Sequence, residues 1–293
     1  MNRKILGAVA ALAIVATGCS AQGPSSTPAG STGGSSSTAS ASVGKVQVLY
    51  AGSLLNLMTK DVQGDFDSAT GGQFAGEGAG STKLAGEIAG KVKKADVFVS
   101  ASTKANSKLL GQKNGNWESW YATFANAPLV LGYNPKSKFV KDLKSKPWNK
   151  VVTEPGFRLG ATDPKLDPKG KLAAQAMQQG GVPSSTAKVF PETQLIGRLQ
   201  SGQLDAGFFY SSESADLKIP TVPLGSIKLK ATYTISVLNK ADNPGGGAAF
   251  VKYLLGPQGK QLLRKHGLKL VPYTVTGDKS AVPAPLKSLL GAG

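Results

Sequence analysis

From Lys45 onward the chain alternates short apolar runs with amphipathic stretches. Val46, Val48, Leu49 and Tyr50 read as a strand, Ala51-Gly52 as a tight turn, and Leu54, Leu55, Leu57 and Met58 as the start of a helix. The same figure recurs in GEGAGSTKLAGEI, residues 76–88, where Gly76, Gly78 and Gly80 permit a close backbone approach. Leu84 and Ile88 then sit four apart on one helical face. Val97, Phe98 and Val99 predict a short buried strand, with Ser100-Ala101-Ser102 opening a helix. Trp117, Trp120 and Tyr121 read as packing. LVLGYN, 129–134, predicts a buried strand that crosses between two lobes.

Residues 158–161 predict another short strand. A helix opened by Gly170 follows, with Leu172, Ala173, Ala176 and Met177 on its apolar side. Pro191-Glu192-Thr193 leads into a helix with Leu195, Ile196 and Leu199 inside, and 207–210 read as a buried strand. Residues 229–238 alternate as a strand and a return crossing. Gly245-Gly246-Gly247 read as a break, 248–255 and 257–266 as helices, and everything from Val271 as a tail. Strand–helix alternation predicts an α/β fold with parallel sheets.

The start of the chain is a different material. Residues 1–18 read as a secretory signal: Arg3 and Lys4, then an apolar run at 5–17 too short to span a bilayer. Ala16-Thr17-Gly18-Cys19 resembles a bacterial lipobox, which makes Cys19 a lipidated N-terminus and the lipid anchor the only membrane attachment. Cys19 is the one Cys in 293 residues, which excludes an internal disulfide framework and a Cys-based zinc site. Residues 19–44 are Ser, Thr, Gly, Ala and Pro almost throughout, and read as an uncharged flexible tether.

The formal net charge of +17 is spread along the chain in pairs such as Lys93-Lys94 and Arg264-Lys265. No basic helix with interleaved aromatics is present, so nucleic acid is a poor partner. The field nonetheless draws small anions inward.

Enzyme chemistry finds little support. His266 is the only His and sits late in a basic helix, where it reads as a capping or surface residue. GxSxG, the phosphate-binding GxxxxGK[ST] and a transition-metal cluster are all absent from the sequence. What remains is a set of donors at strand-to-helix junctions, where open α/β sheets bind ligands. Ser53 and Ser81 each stand at a helix start, and two such N-termini facing one point make a donor-rich anion site. Taken singly, each Ser reads equally as a simple N-cap, Asp167 as turn chemistry, and Tyr210 as a core Tyr with a bonded hydroxyl.

YAGSL, GAGSTKLAGEI, ADVFVSAS, DPKLDPKGK and LDAGFFYSS, in that order, resemble the molybdate/tungstate-binding lipoproteins and periplasmic proteins of ABC importers. The resemblance implies a two-lobed, type II periplasmic-binding-protein fold, each lobe a mostly parallel sheet flanked by helices. Lobe 1 would be 45–124 with 228–293, and lobe 2 would be 125–227. It implies no cofactor, a permease as partner, a monomer, and an oxyanion in the cleft.

By the same resemblance, Ser53 and Ser81 donate hydroxyl and backbone N–H bonds. Lys169 and Glu192 would donate backbone N–H bonds, with the Glu192 carboxylate pointing away, and Tyr210 would donate its hydroxyl. In some relatives two carboxylates approach the metal of the ion. Asp167 matches one of these positions, but the other is Phe209 here. This implies that Asp167 turns away to cap a helix or is held by a neighbouring donor, and that the ion stays four-coordinate. Sulfate as the oxyanion, a serine-dependent enzyme and a tethered adhesion module are the competing readings.

Overall fold

The computed structural model describes residues 42–293. Fourteen consecutive residues from Trp120 to Tyr133 form one almost wholly buried strand, and the other strands are arranged about it. In chain order the strands are β1 (Lys45–Ala51), β2 (Gln73–Ala79), β3 (Val97–Ser100), β4 (Trp120–Tyr133) and β5 (Leu159–Thr162). They continue as β6 (Ala187–Phe190), β7 (Ala206–Tyr210), β8 (Thr221–Val222), β9 (Lys230–Val237) and β10 (Lys269–Gly277). Their spatial order is β2-β1-β3-β9-β4-β7-β5-β6, with β8 and β10 also paired to β4.

The first stretch of β4 pairs with β9 from Ala122 to Pro128, and β10 lies on its other side. From Leu129 to Tyr133 the same strand pairs with β7 instead, and its Leu131 and Gly132 pair with β8. One strand thus belongs to two halves, and the seam between them falls at Pro128–Leu129.

The parallel pairing expected from the sequence holds at the two ends, β2-β1-β3 and β7-β5-β6. It fails in the middle, where every pair involving β4 or β9 is antiparallel. A chain that crosses to the second half and later returns runs in opposite senses on the two passes, so the passes pair antiparallel.

Three further expectations are corrected, and one is met: Gly76 and Gly78, within β2, make a close approach. A Cβ at Gly78 would stand 2.6 Å from the Tyr50 ring, so these glycines make room for that ring lying across the strand. Gly245-Gly246-Gly247 do not break the structure but form the first turn of the helix Pro244–Leu255. Asn243 caps that turn by accepting the Gly246 N–H, and a Cβ at Gly246 would press on Val46. The supposed tail is β10 followed by the helix Ala284–Leu290, which buries Leu286 and Leu290. β10 is an exposed edge strand whose register shifts between Leu270 and Thr274, around Pro272, which hides its alternation in the sequence. Residues 42–44, read as tether, are anchored: Val43 packs on the core and the Gly44 carbonyl accepts the Gln73 N–H at 3.0 Å.

One buried polar network lies in the first half. Glu118 is fully buried and accepts from Ser236 Oγ at 2.6 Å and Asn106 Nδ2 at 3.0 Å. Burial, only partly offset by those two donors, pushes its pKa up to about 8.

The expected signal segment at 1–18, the lipidated Cys19 and the tether as far as residue 41 lie outside the described residues. Among the described residues no helix is long and apolar enough to cross a membrane.

Candidate functional site

The strand-to-helix junctions fall at the seam. After β1 the chain turns straight into a helical run, 52–70, that opens with the tight turn Gly52–Leu54. Ser53 sits inside that turn. It does not cap it, because the flanking residue is Ala51 and no side-chain cap bond exists. Its hydroxyl lies 3.0 Å from the Tyr233 hydroxyl of β9. One proton of that pair satisfies the other oxygen, and the second proton is free to be donated outward.

Ser81 is likewise not the cap of its helix, Ser81–Ala89, since Gly80 holds that position. Ser81 is buried and its Oγ accepts the Ala101 N–H at 3.0 Å. The bond uses a lone pair and leaves the Ser81 O–H free to donate. Being first in the helix, the Ser81 N–H has no intrahelical acceptor. The second half approaches here: Lys83 N–H donates to the Leu166 carbonyl at 2.9 Å. A Cβ on Gly80 would sit 2.5 Å from that carbonyl oxygen and 3.1 Å from the Asp167 Cβ. Gly80 is one residue that lets the two halves touch.

Asp167 is the N-cap of the helix Pro168–Gln179, which starts two residues before the expected Gly170. Its Oδ1 accepts the Lys169 N–H at 2.9 Å. The capping role expected for Asp167 is what the structure shows, although the helix it caps opens at Pro168. The same bond occupies the Lys169 N–H, the group expected to face the ligand.

The Lys169 side chain is fully buried instead. Its Nζ donates to both oxygens of Glu213 at 2.9 Å and lies 3.3 Å from Glu192 Oε1. Burial opposes a charge on Lys169, but Glu213, Glu192 and Asp167 outweigh it and raise its pKa.

Glu192 opens the helix Glu192–Gln200. Its carboxylate does not point away as expected. It is buried, faces Lys169, and reaches the first half closely enough that a Cβ on Gly52 would clash with it. The charge of Lys169 draws it inward. Burial, and then Asp167 nearby, push its pKa up to about 8. Burial also raises Asp167 and Glu213, with Lys169 working against the rise in both.

Tyr210 ends β7 and is fully buried, and its hydroxyl has no hydrogen-bond partner. Its ring meets the Tyr233 ring edge-on, with centroids 6.2 Å apart. Burial, and then the charge of Asp167, push its pKa up. Phe209 packs into an apolar cluster with Leu195, Leu199, Leu204 and Ile219, its ring centroid 5.5 Å from Lys169 Nζ, and brings no carboxylate.

Asp167, Lys169, Glu192 and Tyr210 therefore meet at one seam, Ser53 joins them through Tyr233, and Ser81 stands next to Gly80, where the chain touches Asp167. Two residues there went unforeseen. Glu213 neutralises Lys169 and also accepts the Tyr210 N–H at 3.4 Å. Its signal was the acidic residue three positions after Tyr210, a capping-box spacing with Tyr in place of Ser or Thr. Tyr233 left no signal beyond strand alternation.

A cleft of about 460 Å³ opens from Gly80, Asp167 and Glu192 to the surface between Glu77, Lys83, Asp163 and Val189. A hollow of about 490 Å³ between 143–149 and 222–227 holds none of these groups.

The site offers hydroxyl donors and helix N-termini to an anion, and it also holds three carboxyl groups against one ammonium. A dianion held about 5 Å from one carboxylate is repelled by on the order of 7 kcal/mol at an effective dielectric of ~20. Each hydrogen bond from a neutral donor to a charged ligand returns roughly 1.5–3 kcal/mol.

Two α/β halves joined by crossing strands, with polar side chains of both gathered at the seam, are the build of a two-lobed binding protein. The family described as bacterial extracellular solute-binding protein matches residues 46–269, and the chain belongs to it. That family is one of binding proteins and not of enzymes. The molybdate-binding protein ModA of Escherichia coli (strain K12) is 28% identical over 238 residues, which cover 78% of this chain and 90% of that protein. The molybdate/tungstate-binding protein WtpA of Pyrococcus abyssi is 26% identical over 280 residues, covering 74% and 80%. The periplasmic molybdate-binding protein of Azotobacter vinelandii shares the fold, with a TM-score of 0.65 at 20% identity over 77% of this chain and 99% of that one.

Proposed function

We propose that the protein captures an oxyanion, molybdate or tungstate, between its two lobes and delivers it to the permease of an ABC importer. The observation that carries this is the Tyr210 hydroxyl, buried without a partner beside the free proton of the Ser53–Tyr233 pair. An unpaired buried donor costs free energy, and an anion's oxygen relieves it. The names of the relatives support molybdate and tungstate among oxyanions.

The lobes are 45–128 with 229–293, and 129–228, a few residues later on the outward crossing than the sequence suggested. Their closure brings Ser53 and Ser81 from one side and Tyr210 and the Glu192 N–H from the other onto the ion, which stabilises the closed state. Residues 1–18 are removed as a signal, Cys19 carries the lipid, and a monomer is held outside the membrane by the tether. The ion is bound through its oxygens by hydrogen bonds and remains four-coordinate, since Phe209 supplies no second carboxylate and Asp167 is engaged as a cap.

A thermal-shift panel tests this. At a thousandfold excess over Kd, a ligand adds about 4 kcal/mol to stability, roughly 8–16 °C for a chain of this size. Molybdate or tungstate should give such a shift, and no shift with either overturns the reading.

A further inference from the structure

Two carboxylate oxygens of the site are buried without a hydrogen bond. Both oxygens of Glu213 are held by Lys169 Nζ, which lies next to Glu192 Oε1. Asp167 Oδ1 takes the Lys169 N–H. Asp167 Oδ2 and Glu192 Oε2 are buried and make no hydrogen bond, with the Thr162 hydroxyl the nearby group that lowers the Asp167 carboxyl a little. Both residues line the inner end of the cleft. An ionised carboxylate offers only acceptors, and so does a fully deprotonated oxyanion. Two acceptors face each other favourably only with a proton between them.

We propose that the protein takes up its oxyanion together with a proton, carried on the Glu192–Asp167 carboxyl pair and donated from there to the bound ion. The inference rests on the oxyanion reading above. Solvent supplies the proton, a carboxyl oxygen accepts it, and no bond to the metal forms. The pair thereby becomes a hydrogen-bond donor to the ligand, and the site loses one of the charges that repel a dianion.

The surroundings favour the protonated form. Lys169 is the one cation on the pair, and Glu213 already claims it with both oxygens. Tyr210 from β7, Tyr233 from β9 and Ser53 from the Gly52–Leu54 turn are neutral. Asp163 adds a further negative charge near Asp167, and Glu77 and Lys83 stand at the cleft mouth. Burial already lifts the Glu192 carboxyl to about 8 without a ligand, and an added dianion lifts it further.

The sign follows by linkage. Near pH 6 the free protein already holds the proton, so binding absorbs none and affinity is flat. Above about pH 8 the free pair loses its proton and the complex keeps it, so affinity falls by up to about tenfold per pH unit. Molybdate itself carries no proton over this range, so the slope belongs to the protein.

Calorimetric titration of the full folded chain with molybdate, in two buffers of different ionisation enthalpy, counts the protons. About one proton should be absorbed at pH 8.5 and close to none at pH 6. Glu192→Gln with Asp167→Asn keeps amide donors and an N-cap at these positions but cannot titrate, and circular dichroism checks its fold. The double variant should bind with no proton uptake and a flattened pH profile. Tight binding by the wild type with no uptake at pH 8.5 overturns the proposal, as does an undiminished slope in the double variant. Absence of any heat with molybdate or tungstate at every pH instead overturns the oxyanion reading, and this inference falls with it.

Discussion

Replacing Lys169 by Met tests the charge account of the seam. The lysine is fully buried, and its Nζ is the donor to Glu213 and the near neighbour of Glu192. Met keeps the bulk of the stem and removes the charge, so both carboxyls lose their partner. Breaking a buried pair by removing one member costs about 3–5 kcal/mol. For a chain of this size that is a fall in Tm of roughly 6–20 °C. The loss must depend on pH. Burial raises the folded pKa of Glu192 and Glu213 above the unfolded value of about 4.3, and removal of the lysine raises it further. The folded variant therefore holds more protons than the unfolded chain, and its stability is fullest at low pH and falls as pH rises. Urea unfolding at pH 5 and pH 7.5 reads both points. The penalty should be full at pH 7.5 and much smaller at pH 5, and Glu213→Gln in the same background should recover part of it. A loss below about 1 kcal/mol at pH 7.5, or an equal loss at both pH values, would refute the reasoning.

Three further outcomes follow from the same geometry. Ser81→Ala removes a neutral donor to a charged ligand, roughly 1.5–3 kcal/mol, and should weaken molybdate binding about ten- to a hundredfold in equilibrium titration. It also strands the Ala101 N–H, so the free protein should lose some stability. Glu118, raised to about 8 by burial, makes the wild type lose stability between about pH 5 and pH 8. Glu118→Gln should flatten that decline in melting curves, and parallel pH profiles would remove Glu118 from the account. X-ray absorption at the metal edge of the complex should show four oxygen neighbours, whereas six, with Asp167 among them, would show that the inference from Phe209 fails.

The parts of the fold that were legible in the sequence are those set by local pattern. β1, β3, β7, β9 and the helix from Ser81 each carry a short apolar run with a turn residue beside it. What was hidden depends on partners distant in the chain. Gly76 and Gly78 announced a close approach but not its partner, because the Tyr50 ring that requires them lies on another strand. β10 looked like a tail because an edge strand needs only one packed face. At the site, residue types were legible but orientations were not. Glu192 points inward because Lys169 and the Gly52 turn receive it, and neither neighbour is near it in sequence. Tyr233 stands 180 positions from the Ser53 it contacts, so no local motif could announce it.

The central claim is capture of an oxyanion at the seam through Ser53 and Ser81. Isothermal calorimetry with molybdate, tungstate, sulfate and phosphate, on the wild type and on Ser53→Ala and Ser81→Ala, tests it most directly. The account predicts saturable heat at one site for molybdate or tungstate, with affinity lowered in both variants. No heat with either ion, or unchanged affinity in both variants, would contradict it.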